Sequence, residues 1–117
     1  MAMYDLEERT AVFGESVLRF CRSVSKDTVT QPLVSQLVRS GTSIGANYME
    51  ANGASSKKDF VNKIFICKKE AQETKHWLRM LSSCLENKKD ELQDLWKEAQ
   101  ELTLIFQKIV STARAQQ

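Results

Sequence analysis

Glycine and proline are scarce in this chain, with four Gly and one Pro in 117 residues. A β-sandwich or barrel needs frequent turn signals, and so few punctuating residues cannot supply them. Histidine and cysteine are scarce too: His76, Cys21, Cys67 and Cys84 are the full set. No CxxC pair exists, so zinc of the finger type is not expected. An odd cysteine count with no secretory leader argues against a disulfide framework. Cys67 falls on an apolar stripe and reads as a small core residue. There is no run of about 18 apolar residues, so no transmembrane helix is expected. The N-terminal MAMYDLEERT lacks the basic-then-apolar order of a signal peptide. These absences predict a soluble cytoplasmic protein with no membrane partner, no metal and no cofactor.

Apolar residues are plentiful. They make up 42% of the chain against a formal net charge of +2, a balance that excludes intrinsic disorder. The length suits a single domain over residues 1–117. The apolar residues recur at alternating steps of three and four. The first series is Leu6, Thr10, Phe13, Val17, Phe20, Val24, and the second is Leu33, Leu37, Ser40, Ile44, Asn47, Ala51. The third runs Phe60, Ile64, Cys67, Ala71, Thr74, Leu78, Leu81, Leu85, and the fourth Leu92, Leu95, Ala99, Leu102, Phe106, Ile109, Ala113. That spacing keeps one face of a helix on a partner. It predicts helices over about 4–25, 31–52, 57–86 and 88–114. Short connections force neighbours antiparallel, so the expected fold is all-α, an up-down-up-down four-helix bundle.

The punctuation fits. Thr30 is the expected cap of the second helix, whose first turn tolerates Pro32. Asn52-Gly53 offers a left-handed stop. Ser56 and Asp59 have capping-box spacing. Asn87 is the expected cap of the last helix, with Asp90 and Glu91 in its first turn.

The centre of the second helix is unusual. Gly41 and Gly45 each cost about 1 kcal/mol relative to Ala inside a helix. They share a face with Ser40, Ser43 and Ala46, which lets another backbone come close. That backbone can belong to this chain or to a subunit neighbour. Phosphate-loop patterns are missing. Asn47 and Glu50 read as register or interface residues rather than catalytic ones. Further apolar stripes, such as Val34, Val38 and Tyr48, Val61 and Phe65, and Trp96, Thr103 and Val110, fit either a wide core face or a subunit interface.

Charge is unevenly spread. Residues 57–85 carry seven basic and three acidic residues, a net of +4, while the segments before and after each net −1. Projected at about 100° per residue, Lys57, Lys68, Lys75 and Arg79 fall within an arc of roughly 40°, and Lys58 adds a neighbouring cation. Asp59, Glu70 and Glu73 fall on another side. The stripe is either an ordinary solvated face or a phosphate-contacting surface. With one His, no nucleophile–base pair and no Glu/ExxH ligand set, no enzymatic activity is expected. The Glu70–Glu73 pair reads as surface acids.

Residues 39–51, RSGTSIGANYMEA, resemble the R-S…S-I-x-A-N-x-x-E-A signature of the bacterial four-helix bundle proteins, often encoded in intervening sequences of large-subunit ribosomal RNA genes. In this chain Arg39, Ser40, Gly41, Ser43, Ile44, Gly45, Ala46, Asn47 and Glu50 carry that motif. The following SSKKDF resembles the family's S-K-K-E-F start of the third helix, with Asp59 in place of Glu. The resemblance implies a homopentamer, formally +10 for five copies, with protomers side by side around an axis. It also implies similarity to the accessory variability determinant of diversity-generating retroelements, a basic pentameric bundle that binds nucleic acid and a reverse transcriptase. Two functions are therefore expected as alternatives. One is an oligomeric scaffold binding RNA or DNA through the third helix. The other is a protein-interaction adaptor, for example for a reverse transcriptase, without direct nucleic-acid binding.

Overall fold

A computed structural model describes residues 5–116. Four helices follow one another: α1 (Leu6–Ser23), α2 (Thr30–Asn52), α3 (Lys57–Ser82) and α4 (Lys89–Ala115), with a single 3-10 turn at Glu86–Lys88 before α4. The molecule measures 48 × 24 × 21 Å, as expected for helices of up to about 40 Å at 1.5 Å per residue.

Cross-helix pairs fix the direction of the neighbours, beginning with α1 and α2, where Gly41 approaches Val17 and Gly45 approaches Thr10. Glu50 meets Lys63, the Cys67 thiol meets the Ile44 carbonyl and Ser40 meets Thr74, so positions fall on α2 as they rise on α3. Lys68 meets Gln107 and Lys75 meets Gln100, which runs α4 against α3 in a seven-residue register. Arg9 meets Glu98, and Lys88 meets Ser23, closing α1 against α4. The bundle is up-down-up-down, and each seam has the opposed direction that short loops impose.

The three-four apolar series supply the core. Val17, Leu37, Ile44, Ile64, Cys67, Ala71, Leu81, Ala99, Leu102 and Phe106 are fully buried. On the second series Leu33 and Asn47 are only half-buried, and the Asn47 side-chain amide donates to the Ser43 carbonyl at 2.8 Å. Buried hydroxyls are satisfied locally. Thr10 donates to the Leu6 carbonyl at 2.6 Å, and Thr103 donates to the Ala99 carbonyl at 2.8 Å. The Thr74 and Ser40 hydroxyls lie 2.9 Å apart. Among the described residues no buried side-chain polar atom lacks a partner, which is the normal condition of a stable core.

Several boundaries differ from expectation, each for a local reason. The expected start at residue 4 lies outside the described residues. α1 stops at Ser23, because Val24 turns extended and the Ser23 hydroxyl takes the Phe20 carbonyl at 2.7 Å. Thr30 does not cap α2 but is its first residue. Asp27 does the capping instead: its Oδ1 accepts from the Val29 and Thr30 amides at 2.9 Å each, and Thr30 Oγ1 accepts from the Asp27 amide at 2.9 Å. Gly53 is not left-handed. Its φ is −96°, and its amide reaches the Met49 and Glu50 carbonyls from an ordinary backbone shape. Ser56 caps α3 as expected, accepting from the Asp59 amide at 3.0 Å. α3 ends at Ser82, short of 86, and Leu85 turns away from helical geometry. Asn87 sits in the 3-10 turn, so it is not the cap of α4; Lys88 holds that place, and its side chain makes no capping bond.

Candidate nucleic-acid interface

The motif glycines are consumed inside the chain. A Cβ on Gly41 would meet both Val17 methyls at 3.0 and 3.1 Å, and one on Gly45 would meet Thr10 Oγ1 at 3.2 Å. Gly14 on α1 faces the Thr42 backbone in return. The small-residue stretch is therefore the floor on which α1 lies. Arg39 lies on the other side of α2, where its guanidinium pairs with Glu70 and Glu73 of α3. Glu73 also accepts from the Trp77 indole at 3.0 Å. Glu50 pairs with Lys63 at 2.8 Å, which holds the Lys63 ammonium above its ordinary pKa through that hydrogen bond and charge. Ser43 donates to the Arg39 carbonyl at 2.5 Å, Ile44 is fully buried and Ala46 is exposed. The motif thus ties α2 to both neighbours.

This arrangement separates charge on α3. Glu70 and Glu73 turn toward α2, where Arg39 pairs with both and the Trp77 indole donates to Glu73. Its stripe cations turn the other way, toward α4. Lys68 reaches Gln107 Oε1 at 2.6 Å with its ammonium 5.1 Å from the Phe65 ring centre. Lys75 reaches Gln100 Oε1, with its ammonium 5.4 Å from the Trp96 ring centre. The Arg114 guanidinium also lies over Phe65, 5.7 Å from its ring centre. A neutral amide orients an ammonium without cancelling its charge. Among the described residues, Lys68, Lys75, Arg79, Lys89 and Arg114 form no ion pair with a carboxylate. The α3/α4 seam is therefore a continuous ribbon of uncancelled cations interleaved with two aromatic rings, the pattern that suits a nucleic-acid backbone and its bases.

Three of the five stripe residues, Lys68, Lys75 and Arg79, lie on this ribbon. Lys57 and Lys58 are exposed in the first turn of α3, toward the end where Arg114 lies, beyond the stretch that Lys68, Lys75 and Arg79 span. Charge counting alone passed over Gln93, Gln100 and Gln107, although their seven-residue spacing marks the α4 face that meets the lysines. It also passed over Lys89 and Arg114, because net charge by segment cancels them against the acids of α4.

The remaining chemistry is quiet. Burial pushes the Cys67 thiol up to about 12 and the Cys21 thiol up to about 11, so both are un-ionised core groups. Among the described residues no three His, Cys, Asp or Glu gather as a metal site. Among the described residues no helix is long and apolar enough to cross a membrane.

Residues 5–108 match the family described as 23S rRNA-intervening sequence protein. No curated relative matches the chain. Among solved structures, the fold resembles a crystal structure from Bacteroides thetaiotaomicron VPI-5482, described as a protein with unknown function from the S23 ribosomal protein family. That likeness has a TM-score of 0.79 at 28% identity, covering 89% of this chain and 96% of the other.

Proposed function

The chain belongs to the family of 23S rRNA-intervening sequence proteins, and from that premise we propose that it is a non-enzymatic helical scaffold that binds nucleic acid along the α3/α4 ribbon. One observation carries the reading: Lys68 and Lys75 are held by neutral glutamines, while Glu70 and Glu73 of the same helix are taken up by Arg39 on the opposite side. Such a surface keeps its full positive potential, and phosphate contacts then release counterions. Assembly into several copies, a pentamer as the resemblance implies, multiplies the potential. Leu18 on α1 and Met49 on α2, both exposed, are apolar surface for such association.

The test is charge reversal. Replacing Lys68, Lys75 and Arg79 together with Glu is expected to abolish RNA and DNA binding while helical circular dichroism persists. Unchanged binding in the folded triple variant would sink the proposal. Recovery of a protein partner with no nucleic acid, by native pull-down, would favour the adaptor role instead.

A further inference from the structure

Resting on the nucleic-acid reading, we propose that the upper end of the ribbon holds a pocket for a single unpaired base, so that the preferred ligand is single-stranded. The pocket is an open cleft of about 410 Å³ between the last turns of α3 and the first turns of α4, within the size range of small-ligand sites. Leu78 and Leu92, almost fully buried, form an apolar floor. Trp96 makes one wall and keeps 39% of its surface exposed, an unusual expenditure of a large ring unless something stacks on it. Arg79 and Lys89 stand at the rim, one from each helix, and neither is matched by a carboxylate. Ser82 and Gln93 face the same space; a hydroxyl and an amide can both donate to and accept from a base edge.

This set matches what an extruded nucleotide presents. Its base has a π-face for the indole, its edge has donors and acceptors for Ser82 and Gln93, and its flanking phosphates carry charge for Arg79 and Lys89. A duplex buries its base faces in its own stack and offers the pocket only phosphate. The Lys75 ammonium already lies 5.4 Å from the centre of the same indole, so Trp96 is held in place before a base arrives and makes a fixed platform.

The experiment uses Trp96 as its own reporter. Trp77, the other tryptophan, is replaced in a Trp77→Phe background. The protein is titrated at one salt concentration with a short oligouridylate, which does not pair with itself, and with a blunt RNA duplex of the same length. The expected result is binding of the oligouridylate with quenching of Trp96 emission. Trp96→Ala is then expected to weaken oligouridylate binding by about 10-fold or more, as loss of one stacked base does. Duplex binding should change less than about two-fold, and Trp96→Phe should restore most of the loss. The emission readout needs no substitution at Trp96 and stands even if Trp96→Ala fails to fold. Equal affinity for both ligands with unchanged Trp96 emission overturns the base pocket and leaves the phosphate-binding ribbon standing. Binding of neither ligand overturns both.

Discussion

Gly41 shows how one missing side chain sets the spacing of two helices. Helix propensity alone favours Ala there by about 1 kcal/mol. The added Cβ, however, would press on both methyls of Val17, a fully buried, β-branched residue with little rotamer freedom. Overpacking of this kind costs about 1–3 kcal/mol, so Gly41→Ala is expected to destabilise by up to about 2 kcal/mol in denaturant unfolding. Gly53→Ala, where only two carbonyls lie near at 3.9 Å and φ is negative, should be neutral or slightly stabilising. The reverse order would refute the close-approach role. Gly41 and Gly45 were visible in the sequence as a small face; the partner was not, because Gly14, Thr10 and Val17 show only ordinary spacing until α1 is laid on them. Asp27 is a second residue with its own test. Amide hydrogen bonds from Thr30 and Val29 hold its carboxyl below the usual carboxylate range. A depressed folded pKa stabilises above the unfolded value near 3.9, and that stabilisation is lost as pH falls through the folded value. Asp27→Ala should therefore lower Tm at neutral pH, and the gap to the parent protein should close in strongly acid solution. A gap that stayed constant with pH would show that the carboxylate does not cap α2.

At the scale of elements, the helices themselves were legible from the three-four series, and their ends were legible only where one side chain decides the matter. Ser56 was readable because its own hydroxyl meets the third amide of α3. Thr30, Gly53 and Asn87 were misjudged because several polar residues compete in each loop, and packing selects which one bonds. α1 is the element most dependent on side-chain ties. Between it and α4 lies a groove of about 460 Å³ with Phe13, Phe20 and Leu95 in its walls. Across that seam Arg9 clasps Glu98 with two bonds, at 2.7 and 2.9 Å, and reaches Glu101 at 3.2 Å. A two-pronged pair of this kind is worth about 1 kcal/mol where it is partly sheltered. Arg9→Ala is expected to cost about that much, and to speed amide hydrogen exchange in α1 and the facing turns of α4 while α2 and α3 stay protected. Uniform acceleration across all four helices would contradict a local clasp.

For the molecule as a whole, a formal charge of +2 hides a sorting of charge by face. Arg39 draws Glu70 and Glu73 to the α2 side, glutamines orient Lys68 and Lys75 on the α4 side, and the field that results belongs to the folded bundle rather than to the composition. The sequence alone exposed the basic arc of α3, but not its extension by Arg114 and Lys89 or its aromatic rings, since those join it only through the antiparallel register of α4. The most direct test is the salt dependence of RNA binding for the parent protein and for a variant with Lys68, Lys75 and Arg79 all changed to Gln. A control changes Arg19 and Arg22 in the last turns of α1 and Lys26 just beyond it to Gln, the same loss of charge away from the ribbon. Each phosphate contact contributes about 0.7–0.9 to the slope of log K against log salt. The ribbon variant should lose about 2–3 from that slope and the control less than about 1. Equal slopes for all three proteins, or an equal loss in ribbon variant and control, would contradict binding through the α3/α4 ribbon.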